Sequence, residues 1–213
     1  MIRLFQNNSE GGEIEKKDQN QPNESYSRIE YFGSYRYYHL SWIELDYKDS
    51  RHLLLCNNII EYLPFHEKYA SVNWETCSVR EWLNKVFFFH AFNESERRYI
   101  IGDKSDENDC EYIDNVFLLS SEEAHRYFDK CRIRIDGPAP YLVPKHIGKY
   151  IGLRRRDVWL LRTNAAKGNN SFEISNVIDS GEIHMVNDQG RNLNVNCEAG
   201  IRPALWISDR YFF

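Results

Sequence analysis

With 213 residues, the chain is long enough to bury a core without disulfide support, and 42% hydrophobic against 28% charged residues excludes an intrinsically disordered protein. A net charge of −5, from 27 Lys+Arg against 32 Asp+Glu, excludes the global attraction for phosphate backbones on which general nucleic-acid binders depend. Aromatics reach 15%, with 14 Tyr, 12 Phe and 5 Trp, so ring packing is expected to dominate the core and stiffen the fold.

Between residues 6 and 25 the only large apolar side chain is Ile14, too little to offset the entropy of ordering that stretch. Residues 1–28 are therefore expected to form a polar, flexible N-terminal segment, with 2–5 either docking as an edge strand or staying free. Beyond Ile29 there is no Pro/Gly/Ser-rich break and no repeat of fixed period, which makes 29–213 a single domain. Residues 37–45 alternate apolar with polar, 52–56 form a short apolar run, and 59–63 follow; all three read as strands. Ser78 and Glu81 have capping-box spacing and open a helix that turns Val79, Trp82, Leu83, Val86 and Phe87 inward. Asn93 with Glu96 opens a second helix, ended by Gly102, and Ser120 with Glu123 opens a third carrying Ala124, Tyr127 and Phe128. Residues 116–119, between them, read as a strand. Farther on, 158–161, 172–178, 182–186 and 193–195 are short strands separated by Asn/Gly/Asp turns, and 200–207 is a last strand whose Pro203 needs an edge or a bulge. Strands, then helices, then a hairpin-rich meander predict an α+β domain and argue against a doubly wound parallel sheet.

No basic start followed by an apolar stretch marks an export signal, and the longest apolar runs, such as 86–89 and 53–56, are far short of the roughly 18 residues of a membrane span. A soluble, cytoplasmic protein without a membrane partner is expected. Five cysteines (Cys56, Cys77, Cys110, Cys131, Cys197) without a C-x-x-C pair predict reduced, mostly buried thiols. Seven scattered histidines contain no H-x-x-x-H pair, so neither a metal nor another cofactor is expected. Cys77 lies beside a helix start, where a thiol pKa can fall, yet core packing is the stronger reading. The acidic stretch 103–114 departs from a calcium-binding loop, with Asn108 where the turn needs Gly and Asp114 where a bidentate Glu is needed; it reads as a solvated loop. Arg154, Arg155 and Arg156 form the dense basic cluster and a candidate anion site. Arg162 and Arg202 read as buried ties to backbone carbonyls, and Trp74, Trp82, Trp159 and Trp206 as core.

Several runs carry a likeness: Tyr31-Phe-Gly-Ser-Tyr35, Trp74-Glu-Thr-Cys-Ser-Val-Arg-Glu-Trp-Leu-Asn84, Ala91-Phe92 with Glu96, Val116-Phe-Leu-Leu-Ser120, Trp159-Leu-Leu-Arg162 and Gly200-Ile-Arg-Pro-Ala-Leu205. Together they resemble a family of bacterial domains of unknown function over most of the chain. The chain departs from that pattern at Leu160, where many members have a second Trp, and at Asn164-Ala165, where they have Pro-Gly. The Trp…Arg…Gly-x-Arg-Pro-Ala ending is also similar to the C-type-lectin-like group that includes formylglycine-generating enzymes (sulfatase-modifying-factor-like proteins). That resemblance implies a compact, irregular β framework in the C-terminal half that presents side chains from loops. Oxidase chemistry of the formylglycine-generating type requires paired C-terminal cysteines, and only Cys197 lies in that region.

The sequence therefore predicts a non-enzymatic binding module, with ligand contacts from Asn164, Lys167, Asn169, Asn170, Asn187, Asp188 and Asn194 on two Asn-rich segments that otherwise serve as plain hairpin turns. The partner would be a protein or a small polar ligand, with the oligomeric state left open. Two alternatives stand beside it: an enzyme whose site joins distant Cys, His and carboxylate residues, with Cys77 or Cys131 as nucleophile, and an interaction subunit of a bacterial cytoplasmic complex.

Overall fold

The computed structural model describes residues 28–104, 113–128, 158–164, 171–177, 183–185 and 193–213. It is an α+β domain with two principal sheets. The first begins with β1 (Arg28–Tyr35), β2 (Tyr38–Lys48) and β3 (Arg51–Cys56), a meander of antiparallel hairpins. Leu53, Leu54, Leu55 and Cys56 are all buried, so β3 is covered on both faces, which is why it reads as a continuous apolar run instead of an alternating one. β2 alternates more clearly and carries a bulge between Glu44 and Asp46.

β4 (Glu61–Pro64) leaves this sheet for the second, and a helical run over 78–91 follows. That run consists of α1 (Ser78–Trp82), a π-helical turn (Leu83–Phe87) and α2 (Phe88–Ala91). The wider turn advances the inward face, so Phe87 and Phe88 are both buried while Val86, expected inside on an ideal 3.6-residue period, is exposed. α3 (Glu94–Arg97) opens with the expected capping box, Asn93 Oδ1 accepting from the Glu96 amide at 3.0 Å and Glu96 Oε2 from the Asn93 amide at 2.8 Å. It ends at Arg97, before Gly102, because β5 (Ile100–Ile101) must join the first sheet. β6 (Asp103–Lys104) and β7 (Ile113–Asp114) form a separate pair, and α4 (Ser121–Phe128) begins with the Ser120/Glu123 box.

The second sheet is built from β8 (Val158–Asn164), β9 (Ser171–Val177), β10 (Ile183–Met185), β11 (Leu193–Asn194) and β12 (Glu198–Ile201), in the order β10-β9-β8-β12-β4 with β11 also on β9. Only β8 and β12, among the described strands, pair in parallel. The expected last strand is two strands: after β12, the chain crosses at Arg202-Pro203 into β13 (Ala204–Ser208), which lies between β3 and β5 in the first sheet. Pro203 sits at that crossing, where it has no ladder amide to lose, and its carbonyl accepts from the Cys56 amide at 2.8 Å.

One core joins the sheets and the helical run. Phe32, Trp42, Phe87 and Phe92 are fully buried, with Phe32 5.1 Å and Phe87 5.9 Å from Phe92 between ring centroids. Trp42 Nε1 donates to the Phe32 carbonyl at 2.8 Å, satisfying the one polar atom this packing buries on the indole. Gly33 has φ +76°, and a Cβ there would stand 2.5 Å from the Phe92 ring and 2.9 Å from the Ala91 carbonyl oxygen. Glycine is what lets β1 approach the helical run so closely.

Candidate functional site

β8 ends at Asn164 and β9 begins at Ser171, with the connection 165–170 between them. Asn164 pairs with Phe172 from one side of β9, and Leu193 pairs with the same residue from the other. Asn194 then stands opposite Ser171. The described ends of the two Asn-rich segments, Asn164 with Ser171 and Asn194, thus lie together at one end of the second sheet. β10 and β11 lie along one edge of β9, so 186–192 links two pieces of strand separated on β9 only by Glu173 and Ile174. Asn194 and Asn196 are exposed on either side of Val195, which is fully buried and whose carbonyl accepts from the His66 amide at 2.7 Å. Lys167, Asn169, Asn170, Asn187, Asp188, Arg154, Arg155, Arg156 and Cys131 lie outside the described residues.

The end of β8 is fixed by side chains just ahead of Asn164. Arg162 donates from Nη1 to the Leu118 carbonyl and from Nη2 to Glu123 Oε1, each at 2.9 Å, and its amide donates to the Leu119 carbonyl at 2.9 Å. The Ser121 amide donates to Thr163 Oγ1 at 2.8 Å. Arg162 is therefore a tie to a backbone carbonyl, as expected from sequence, but it is only partly buried and also pairs with a carboxylate. It also explains why 116–119 makes only an isolated bridge between Phe117 and Ala204: several backbone groups of that stretch are taken by side chains instead of a ladder. Arg202 is 1% exposed, with its guanidinium 4.6 Å from the centroid of the buried Trp159 ring. Trp74 and Trp206 are also core, while Trp82 is half-buried and stacks on Phe87.

A second constellation was not legible in the sequence. Asp114 is buried and accepts from Trp74 Nε1 at 2.8 Å, Arg80 Nε at 2.8 and 3.0 Å, and Asn84 Nδ2 at 3.3 Å. Arg80 Nη1 donates to the Glu75 carbonyl at 3.0 Å. The π-helical turn carries Asn84, whose carboxamide also donates to the Arg80 and Val116 carbonyls and accepts from the Asn115 and Val116 amides. One side chain thus fastens 114–116 to the helical run. The expectation of a solvated acidic loop fails at Asp114, because an unpaired carboxylate would stay in water and this one has an arginine and two neutral donors. Glu75, Arg80, Asn84, Asp114 and Asn115 are among the residues that line a cleft of about 490 Å³.

The helix start also differs from the expected capping box. Cys77 occupies the cap position without a side-chain bond to the helix amides, and Ser78 is the first helical residue. His66 Nδ1 accepts the Ser78 amide at 3.2 Å and lies 2.9 Å from its hydroxyl, while Glu81 pairs with Lys85. A histidine from outside the helix has taken the capping role. Cys77 Sγ donates to the Trp74 carbonyl at 3.2 Å, and burial pushes its thiol up to about 12 despite the amide of Arg80 and the nearby arginine charge. That is the reverse of an activated nucleophile. Cys56 is likewise raised by burial, to about 11, and Cys197 is partly buried. Among the described residues no group of three or more His, Cys, Asp or Glu side chains could hold a metal ion, and no helix is long and apolar enough to cross a membrane.

No curated protein and no solved structure matches this chain. Residues 49–209, from the turn before β3 to the residue after β13, match the family described as Domain of unknown function (DUF6273), and the chain belongs to that family.

Proposed function

We propose that the chain is a non-enzymatic binding module of C-type-lectin-like α+β architecture, which presents 164–171 and 187–196 to a protein or a small polar ligand. The observation that carries this reading is the register of the second sheet: Asn164 and Asn194 flank the first two residues of β9 from opposite sides. Carboxamides offer both donors and acceptors, so several of them on adjoining connections can meet a polar ligand in more than one geometry. The ties from Arg162 and Thr163 fix the end of β8, the strand from which the first segment departs. The lectin-like architecture is supported by the short strands of the C-terminal half and by the buried Trp159 and Arg202 at its centre. In this reading Arg154, Arg155 and Arg156, just ahead of β8, meet an anionic group of the ligand. A cytoplasmic location is part of the proposal, supported by the unpaired, buried thiols of Cys56 and Cys77.

The test is to probe glycan and peptide arrays with the labelled full chain and with a variant carrying Ala at Asn164, Lys167, Asn169, Asn170, Asn187, Asp188 and Asn194. The wild-type chain should retain a chemically related set of features that the variant loses at unchanged Tm. A wild-type chain that binds neither array, or a variant that binds the same features, contradicts the proposal.

A further inference from the structure

The cleft beside Asp114 is formed by elements other than the β8–β9 end, and its chemistry is specific enough to name a ligand class. Its walls are the helical run with the residues just before it and the 113–115 strap, and Asn84 holds them together. The separation of the walls is therefore set before any ligand arrives, and a volume of about 490 Å³ is within the range of small-molecule sites. Both signs of charge line it: Arg80 and Lys85 on one hand, Glu75, Glu81 and Asp114 on the other. Arg80 and Asp114 are committed to one another in the buried network. Lys85 and Glu81 are not: they form an i,i+4 pair at 2.8 Å with both side chains largely in solvent. Such a pair is weak and screened, so a ligand that brings its own two charges can exchange with it at little cost. Ile113, exposed at the lip, adds an aliphatic surface.

We infer that this cleft binds a zwitterionic amino acid or dipeptide, its carboxylate on Lys85, its ammonium on Glu81 with Glu75 nearby, and an aliphatic side chain against Ile113. A simple anion would leave the acidic side uncompensated, and a simple cation the basic side.

The experiment is an amide NMR titration of the full chain with glycyl-leucine, beside N-acetyl-glycyl-leucine and glycyl-leucinamide. Glycyl-leucine should give saturable shifts at Thr76, Arg80, Lys85 and Ile113 in the millimolar range, and blocking either end should weaken binding about tenfold. Lys85→Met should remove the preference for the free carboxylate, and Glu81→Gln the preference for the free amine. Both positions are exposed, so neither substitution endangers the fold. Unsaturable or scattered shifts, equal affinity for the blocked dipeptides, or a preference that survives the matching substitution overturns the inference.

Discussion

Replacing Asp114 with Asn keeps the shape of the side chain and removes its charge. Arg80 then loses the carboxylate that holds its Nε, with the Arg80 and Asp114 side chains only 17% and 7% exposed in the native protein. Breaking a buried ion pair from one side costs about 3–5 kcal/mol, because the remaining charge stays desolvated without compensation. The Trp74 indole and the Asn84 carboxamide also lose an ionised acceptor, but they share the same carboxylate, so their losses overlap and do not add. The adjoining cleft admits water to Arg80, which favours the lower end, about 3 kcal/mol. For a protein of this size that corresponds to a Tm lower by roughly 6–12 °C. Urea denaturation followed by tryptophan fluorescence reads the change directly, with an unaltered m-value if the folded state stays compact. The double variant Arg80→Met/Asp114→Asn should be less damaging than the sum of its parts, since it removes the stranded charge. A loss below about 1 kcal/mol for Asp114→Asn, or strict additivity in the cycle, would refute the view that this pair fastens 113–116 to the helical run.

Gly33→Ala should destabilise by about 2–4 kcal/mol, combining a left-handed backbone with a Cβ that meets both the Phe92 ring and the Ala91 carbonyl; a melt within about 1 kcal/mol of wild type would contradict the close approach of β1. Arg162→Met should cost about 2–4 kcal/mol by stranding Glu123 and the Leu118 carbonyl, and thermal denaturation checks it. The buried thiols predict a pH dependence. Their ordinary value is 9.0 and burial raises them to about 11 at Cys56 and about 12 at Cys77. Below pH 9 both folded and unfolded chains hold these protons, so the thiols add no slope. Above it the unfolded chain releases them first, and stability falls until pH passes about 11 and then about 12. Denaturant titrations across that window should show a shallower decline in Cys56→Ala and Cys77→Ala, and an unchanged slope in both would contradict the assignment. In iodoacetamide labelling mapped by peptide mass, these two cysteines should react only on unfolding, and Cys197 sooner.

Legibility followed the distance over which each device acts. The Asn93/Glu96 and Ser120/Glu123 boxes could be read directly because both partners lie within one turn. Ser78 and Glu81 have the same spacing, but His66, twelve residues away, takes the Ser78 amide and Lys85 takes the Glu81 carboxylate. Spacing alone carries no sign of that competition. Asp114 was hidden for a similar reason: its partners are 30–40 residues distant, and its acidic neighbours in sequence made it look solvated. The one available signal was Arg80 and Asn84, polar at i and i+4 in a run otherwise dominated by large apolar residues. The π-helical turn defeated the 3.6-residue phase and misplaced Val86. Two-faced burial made β3 legible, whereas the split of 200–207 at Pro203 followed from a change of sheet that no local pattern announces. Of the candidate ligand contacts, Asn164 and Asn194 fall on strand ends, but their places opposite Phe172 and Ser171 emerged only from the register, and β10 and β11, expected to form a hairpin, both pair with β9 instead.

The most direct test of the binding proposal is hydrogen exchange of the full chain, alone and with the ligand that the arrays select. The account predicts added protection at 164–171 and 187–196, with exchange in β3, β8, β12 and β13 already governed by global opening and unchanged by the ligand. Protection gained elsewhere, with those two segments unaffected, would contradict it.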